Sequence, residues 1–246
     1  MGTSFGIRAM TVIAIHGNGG GGFRFSRLKT DFPLLCPTLP GFEGGRVLES
    51  YRAYADFLQG LVREVEGPKF LLGTGIGGSL VLEYLQHYPD SVDGVVLHAP
   101  VGARLESRWF PRLMSVPGVA FLVKFLISWR LLRPLWLRLF FRNGTTLPTK
   151  IVDRFFAAYA ECGAFVPMFE WITADWWTGL KPVDIPSCLL WGGRERMLKA
   201  EHVQDFKEKL PAATVRIVEH WDHFPMLEQP EEFSLELKAI VRELRG

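Results

Sequence analysis

Cysteine is scarce in this sequence, with only Cys36, Cys162 and Cys188 among 246 residues. Three widely spaced thiols argue against a disulfide framework or a zinc site, and they favour a reducing compartment, the cytoplasm. Uninterrupted apolar runs of about 18 residues are also missing, so no membrane-spanning helix is predicted. The first ten residues lack the long apolar stretch of a secretory signal.

An excess of charge of either sign is missing as well. The 28 basic and 26 acidic residues leave a net charge of +2, so nothing electrostatic points to nucleic acid as a partner. The sequence contains no cluster of metal ligands and no dinucleotide-binding fingerprint, so neither a metal nor another cofactor is expected. Hydrophobic residues make up 48% of the chain, which predicts a globular protein with a full core.

Short apolar runs alternate with helical patterns at both ends of the chain. This alternation predicts an α/β fold with a mostly parallel, doubly wound sheet of about six or more strands, covered by helices. The predicted strands are 10–16, 33–37, 69–73, 94–98, 187–191 and 214–219, and the predicted helices are 48–66, 77–88, 201–210 and 230–245.

The alternation stops between about 100 and 185, where the pattern becomes helical and six of the eight tryptophans occur. We therefore predict a core formed by residues 1–99 and 186–246, with residues 100–185 inserted as a helical cap. Pro134 is expected to divide the most apolar stretch into two helices. Basic residues recur through that stretch, which fits either a cap helix with one face on the core or, as the weaker interpretation, contact with a membrane surface. These basic residues are Lys124, Arg130, Arg133, Arg138 and Arg142.

Four motifs follow one another in a fixed order along the chain. They are IHGNGGGGF at 15–23, GTGIG at 73–77, WGGRE at 191–195 and HFPMLEQPEEF at 223–233. In this order, and each at the end of a predicted strand, they resemble the α/β-hydrolase superfamily, specifically its compact members with a helical cap. The resemblance covers nearly the whole chain outside residues 100–185.

The resemblance assigns roles to individual residues. The backbone N–H groups of Asn18 and Ile76 would form an oxyanion hole, with Gly17 allowing close approach of a ligand. A plain glycine-rich loop or a phosphate cradle is the alternative for the first motif. His223 would be the catalytic histidine and Glu195 the acid that orients it, although Glu195 alone would suit a solvated surface position. Asp222, where glycine is common, would add a carboxylate beside the imidazole.

Gly75 occupies the position where the family pattern G-x-S-x-G places its nucleophilic serine. Without an oxygen or sulfur there, no acyl-enzyme can form at this residue. Thr74 and Ser79 are the nearest hydroxyls, and we do not expect either to replace the serine.

Three interpretations of Gly75 remain open. His223 and Glu195 act as a general base on substrate or water; or the protein is a non-catalytic binder of a ligand or protein; or serine was replaced in an ordinary esterase-like hydrolase. The family implies a small, largely apolar substrate of the ester, amide or C–C bond class, with Trp136 and Trp177 of the cap as predicted contacts. Nothing in the sequence indicates an oligomeric state.

Overall fold

The structure, a computed structural model, describes residues 10–105, 109–114, 116–141 and 147–246. These residues contain one six-stranded sheet in the order β2-β1-β3-β4-β5-β6, with every neighbouring pair parallel. The predicted fold class, a parallel sheet covered by helices, is therefore confirmed. The strands are β1 (Thr11–Ile15), β2 (Leu34–Leu35), β3 (Lys69–Thr74), β4 (Gly94–His98), β5 (Ser187–Gly192) and β6 (Thr214–Val218).

Apart from Lys69 at the start of β3, the inner strands are buried along their whole length, because helices cover both faces of the sheet. All residues of β1, β4 and β5 are buried, as expected for a parallel sheet between helical layers. The edge strand β2 is shorter than predicted. Pro33 still accepts a hydrogen bond from Val12, but Pro37 has no N–H with which to extend the ladder.

The helices of the core follow the sequence pattern closely. Ser50 caps α1 by accepting a hydrogen bond from the Ala53 N–H, and Pro230 begins α11. Gly77 lets α2 approach β1, since a Cβ there would lie 2.4 Å from the Ile15 carbonyl oxygen. These helices are α1 (Tyr51–Arg63), α2 (Ile76–His87), α9 (Val203–Lys209), α10 (Pro225–Glu228) and α11 (Pro230–Arg245).

The described residues between β4 and β5 contain helices and no strand. We call residues 100–185 the β4–β5 segment. Pro134 lies in the first turn of α5, after the chain has left the preceding helix at Trp129. Arg142 lies outside the described residues. The helices are α3 (Trp109–Met114), α4 (Val119–Ser128), α5 (Arg133–Phe140), α6 (Thr149–Glu161), α7 (Phe165–Trp171) and α8 (Ala174–Gly179).

Strand order places the candidate site. β1 has β2 on one side and β3 on the other, so the chain changes direction across the sheet between β1 and β3. In open parallel sheets, ligands bind outside the carboxyl ends of the strands at such a switch point. The loops that follow β1 and β3 begin at His16 and Gly75, which brings two of the four motifs together.

Candidate active site

Gly75 forms the corner between β3 and α2, with φ +55° and ψ −120°. Its N–H donates to the His98 carbonyl at 3.0 Å, and its carbonyl accepts from the Val101 N–H at 3.2 Å. A Cβ placed on Gly75 would meet only the Gly17 Cα, at 3.8 Å. The corner therefore has room for a side chain, and the positive φ is a conformation that glycine adopts without strain.

The two hydroxyls nearest this corner are engaged elsewhere. Thr74 is buried and its hydroxyl lies 3.5 Å from the Ile15 carbonyl oxygen. Ser79 is also buried and donates to the Val101 carbonyl at 2.5 Å. This hydrogen bond from the Ser79 hydroxyl joins the start of α2 to the chain that follows β4.

Glu195 and His223 form a hydrogen-bonded pair at the carboxyl ends of β5 and β6. His223 Nδ1 lies 2.6 Å from Glu195 Oε2. The other carboxylate oxygen, Oε1, accepts from the backbone N–H groups of Met197 at 2.7 Å and Leu198 at 3.1 Å. Glu195 is thus a buried residue with its acceptors filled, and the alternative of a solvated surface position does not hold.

The ionisation of Glu195 depends on those contacts. Burial by itself would raise the pKa of this carboxyl. The charge of His223, its hydrogen bond and the two backbone N–H groups together lower the pKa to about 2. Glu195 is accordingly a carboxylate at neutral pH, and its position fixes the Nδ1–H tautomer of His223, which leaves Nε2 as the proton acceptor.

Asp222 does not contact the imidazole in the way the sequence suggested. Its Oδ1 accepts from the backbone N–H of His223 at 2.9 Å, and its Oδ2 lies 2.8 Å from the Arg196 guanidinium. The extra carboxylate therefore fixes the backbone at His223 and is compensated by a cation, while Glu195 remains the partner of the ring.

The loop after β1 is held by side chains beneath it. His16 is fully buried, with Nε2 accepting from the Leu39 N–H at 3.0 Å and Nδ1 lying 3.0 Å from the Gly17 carbonyl oxygen. Burial lowers the pKa of His16 to about 3, so the ring is neutral. Asn18 donates through its side-chain amide to the Phe165 carbonyl at 2.9 Å, which ties the loop to α7.

Arg24 is a buried cation under the same loop. This residue is not identified by the sequence alone. It donates through Nη2 to the Asn18 carbonyl at 3.1 Å and lies over the rings of Phe155 and Phe224, at 5.3 and 4.9 Å. Within the part of the chain that the structure describes, no carboxylate forms an ion pair with it. Burial lowers the pKa of Arg24, and the aromatic rings replace the missing counter-charge. Arg24 directly follows the first glycine-rich motif, but its contacts with Phe155 and Phe224 are visible only in the packed structure.

These features surround one cavity of about 270 Å³ at the carboxyl end of the sheet. The core contributes both polar groups and apolar side chains such as Phe224 and Met226, and the β4–β5 segment contributes mostly apolar side chains. His98 lines it with a buried Nε2 that has no hydrogen-bond partner among the described residues. The lining includes Gly17, Asn18, Arg24, Gly75, Ile76, His98, Leu113, Val123, Ile127, Trp136, Leu139, Phe140, Tyr159, Phe165, Phe169, Arg196 and His223.

The two tryptophans predicted to contact a ligand differ in position. Trp136 lines the cavity and donates through Nε1 to the Leu126 carbonyl at 2.9 Å. Trp177 does not line it. Its ring packs at 4.9 Å from that of Phe206, on α9, and beneath the ammonium of Lys209. The structure therefore does not bring Trp177 to the cavity with Trp136, because the ring packs against α9.

Two features are absent from the described residues. Among residues 10–105, 109–114, 116–141 and 147–246, no group of three or more histidine, cysteine, aspartate or glutamate side chains is arranged to hold a metal ion. In the same residues, no helix is both long and apolar enough to cross a bilayer.

Comparison with known proteins gives one consistent family. The model of the alpha/beta hydrolase family matches residues 12–236. Pimeloyl-[acyl-carrier protein] methyl ester esterase of Neisseria meningitidis serogroup B is 24% identical over 241 residues, covering 94% of this chain and 92% of that protein. Lipase 3 of Moraxella sp. strain TA144 is 23% identical over 257 residues, covering 93% and 76%.

A solved structure extends the likeness to three dimensions. The lip1 protein of Acinetobacter baumannii AYE superposes with a TM-score of 0.79 at 21% identity, covering 96% of this chain and 85% of that one. At such identity the superposition speaks for the fold alone. The family match spans residues 12–236 and includes all four motifs, so this chain belongs to the alpha/beta hydrolase family.

Proposed function

We propose that this protein hydrolyses a small, largely apolar ester by direct attack of water, with His223 as general base and no covalent intermediate. The observation that carries the proposal is the pair formed by Glu195 and His223, at 2.6 Å, on the cavity that Gly75 also lines. Esterase and lipase relatives support an ester as the substrate class.

Water would take the place of the serine hydroxyl. The position of a Cβ on Gly75 is open, with Gly17 Cα as its nearest neighbour at 3.8 Å. His223 Nε2 would remove a proton from a water held there while the water oxygen bonds to the carbonyl carbon. The protonated imidazole would be stabilised by Glu195, and it would return the proton to the leaving alkoxide as the C–O bond breaks.

The negative charge that develops on the substrate carbonyl oxygen must be stabilised by hydrogen-bond donors. Ile76 is the first residue of α2, where backbone N–H groups have no acceptor within the helix. We assign the Ile76 and Asn18 N–H groups to the carbonyl oxygen of the substrate in the tetrahedral state. Arg24 supports this assignment, because its hydrogen bond to the Asn18 carbonyl fixes the peptide that follows Asn18 and so restrains the backbone of that residue.

A second candidate function is binding without catalysis, favoured by the lack of any oxygen or sulfur on Gly75. One experiment separates the two. Hydrolysis of a short-chain aromatic ester is measured for the parent protein, His223→Ala and His220→Ala. His220 is a matched control, because it also contacts a carboxylate, Glu232 at 2.9 Å, but is exposed.

We expect the parent rate to fall about 10²- to 10⁴-fold in His223→Ala and to stay unchanged in His220→Ala. Parent turnover no faster than the buffer reaction, or equal in His223→Ala, would refute the hydrolytic proposal. Saturable quenching of tryptophan fluorescence by the unreacted ester would then favour a binding protein.

A further inference from the structure

The outer surface of the β4–β5 segment is apolar where a soluble protein is normally polar. Thirteen large apolar side chains are exposed among the described residues, and nine of these lie between Leu113 and Leu139. We call the six that lie on α4, on α5 and in the turn between them the apolar outer face. They are Phe121, Leu122, Phe125, Trp129, Leu131 and Leu135, with exposed fractions of 47% to 77%.

Helix α4 explains why this surface is unusual. Its inner side chains Val123 and Ile127 line the cavity, as expected for a helix that packs over a site. Its outer side chains Phe121 and Phe125, one helical turn apart, are 69% and 58% exposed. Apart from Lys124 and Ser128, every residue of α4 is apolar, and a helix of that composition is normally buried on most sides. The exposed outer side of α4 is therefore suited to an apolar environment other than the protein core.

The positive charge around this face indicates which kind of partner would bind there. Residues 107–152 contain eight lysines and arginines and no aspartate or glutamate. Arg130 and Arg138 are exposed beside the apolar side chains, while Arg133 is paired with Asp153 of α6 at 3.1 Å. A second copy of this chain docked on the same face would place like charges against each other. An anionic lipid surface offers both an apolar layer and the opposite charge.

The cavity opens at this face. Leu113 and Leu139 line the cavity and are also 43% and 48% exposed. Trp136, which also lines the cavity, links α5 to α4 through its hydrogen bond to the Leu126 carbonyl. A molecule dissolved in a lipid layer in contact with the outer face would therefore reach the cavity without crossing water.

We propose that the apolar outer face of α4 and α5 docks on an anionic lipid surface and admits lipid-soluble molecules to the cavity. Helices lying in the interfacial plane bury their apolar side chains among the acyl chains while flanking basic residues contact the headgroups. The docking does not depend on the chemistry of Gly75 and His223, so its test is independent of the test of the proposed hydrolysis.

Co-sedimentation of the full chain with vesicles tests the proposal. The vesicles are phosphatidylcholine alone or phosphatidylcholine mixed with phosphatidylglycerol. The apolar variants are Phe121→Ser and Phe125→Ser, with Leu235→Ser as the matched control, because Leu235 is 62% exposed but lies on α11. We expect the partition coefficient to fall about tenfold for each phenylalanine removed and to be unchanged for Leu235→Ser.

The charges are tested with Arg130→Glu and Arg138→Glu, against Arg245→Glu at the exposed end of α11. We expect each reversal on the outer face to weaken binding to phosphatidylglycerol vesicles at least about fivefold, and Arg245→Glu to leave it unchanged. Circular dichroism melting verifies that every variant is folded.

Two results would overturn the proposal. One is a parent protein that does not sediment with either vesicle, or that does so equally well after both phenylalanines are replaced. The other is a parent dimer, detected by light scattering, that Phe121→Ser and Phe125→Ser dissociate while vesicle binding is undetectable. The second result would assign the face to another copy of the chain.

Discussion

The Nδ1 atom of His223 lies 2.6 Å from Oε2 of Glu195, a carboxylate whose side chain is only 1% exposed. A buried carboxylate is costly unless its acceptors are filled, and here two backbone N–H groups fill the other oxygen. The position of the imidazole is thus determined by a rigid acceptor that the chain between β5 and α9 builds.

Glu195→Gln tests the importance of that acceptor. A glutamine amide in the same place would donate to His223 Nδ1 and move the ring proton to Nε2, so the imidazole would lose its basic nitrogen in the cavity. We expect ester hydrolysis to fall about 10²- to 10⁴-fold with little change in KM. Glu232→Gln, at the exposed carboxylate beside His220, is the control and should leave the rate unchanged. Equal rates in Glu195→Gln and the parent would contradict the role given to this pair.

Gly75→Ser tests whether the rest of the hydrolase machinery is intact. The serine Cβ has space, but φ +55° is strained for a residue with a side chain, so the free energy of unfolding should fall by about 1 kcal/mol. We expect faster ester hydrolysis with a burst of product, together with covalent labelling by a fluorophosphonate.

The matched controls for that experiment are the parent protein and a double variant that carries both Gly75→Ser and Ser79→Ala. The parent should not be labelled, and the double variant should be labelled like Gly75→Ser, because Ser79 donates to the Val101 carbonyl. Labelling of the parent would show that another residue is the nucleophile. A folded Gly75→Ser protein that resists the probe would show that the histidine pair no longer supports acylation.

The candidate site could be predicted from the sequence wherever a residue lies within a few residues of the carboxyl end of a strand. Gly75, Glu195 and His223 all do, and the parallel sheet brings those ends together. Arg24 and Trp177 could not be placed in this way. Their surroundings are determined by how α6 and α8 pack on the core, and packing between helices far apart in the chain leaves no local pattern.

Strand lengths show the same division. The inner strands matched their predicted bounds within one or two residues, because long buried apolar runs specify them. The edge strand β2 keeps only Leu34 and Leu35 of the predicted residues 33–37, since its extent depends on which N–H groups can pair and Pro37 offers none.

Acid should destabilise the protein from about pH 6.5 downward. Burial lowers the pKa of both His16 and His98 to about 3, from an ordinary value of 6.5. Below pH 6.5 the unfolded chain binds protons at these residues and the folded chain does not, so stability present above pH 6.5 is lost as pH falls toward 3. Glu195 acts with the same sign between about 4.5 and 2.

The measurement is the free energy of unfolding by guanidinium chloride between pH 6.5 and 5. Each buried histidine should contribute a slope approaching about 1.4 kcal/mol per pH unit once the pH is well below 6.5. His98→Met keeps the side-chain volume and removes a ring whose Nε2 has no hydrogen-bond partner among the described residues, so the slope should decrease by one histidine's share. An unchanged slope in a folded His98→Met protein would show that His98 is protonated in the native state.

Trp136 and Trp177 should respond to truncation in opposite ways. Trp136→Ala enlarges the cavity, so we expect KM for short esters to rise and the preferred acyl chain to lengthen. Trp177→Ala removes packing against Phe206 and the cation–π contact with Lys209, so we expect a loss of about 2 kcal/mol in stability with the chain-length preference unchanged. The measurements are KM across a series of ester chain lengths and thermal melting of both variants. A shifted preference in Trp177→Ala would mean that α8 moves over the cavity when a ligand binds.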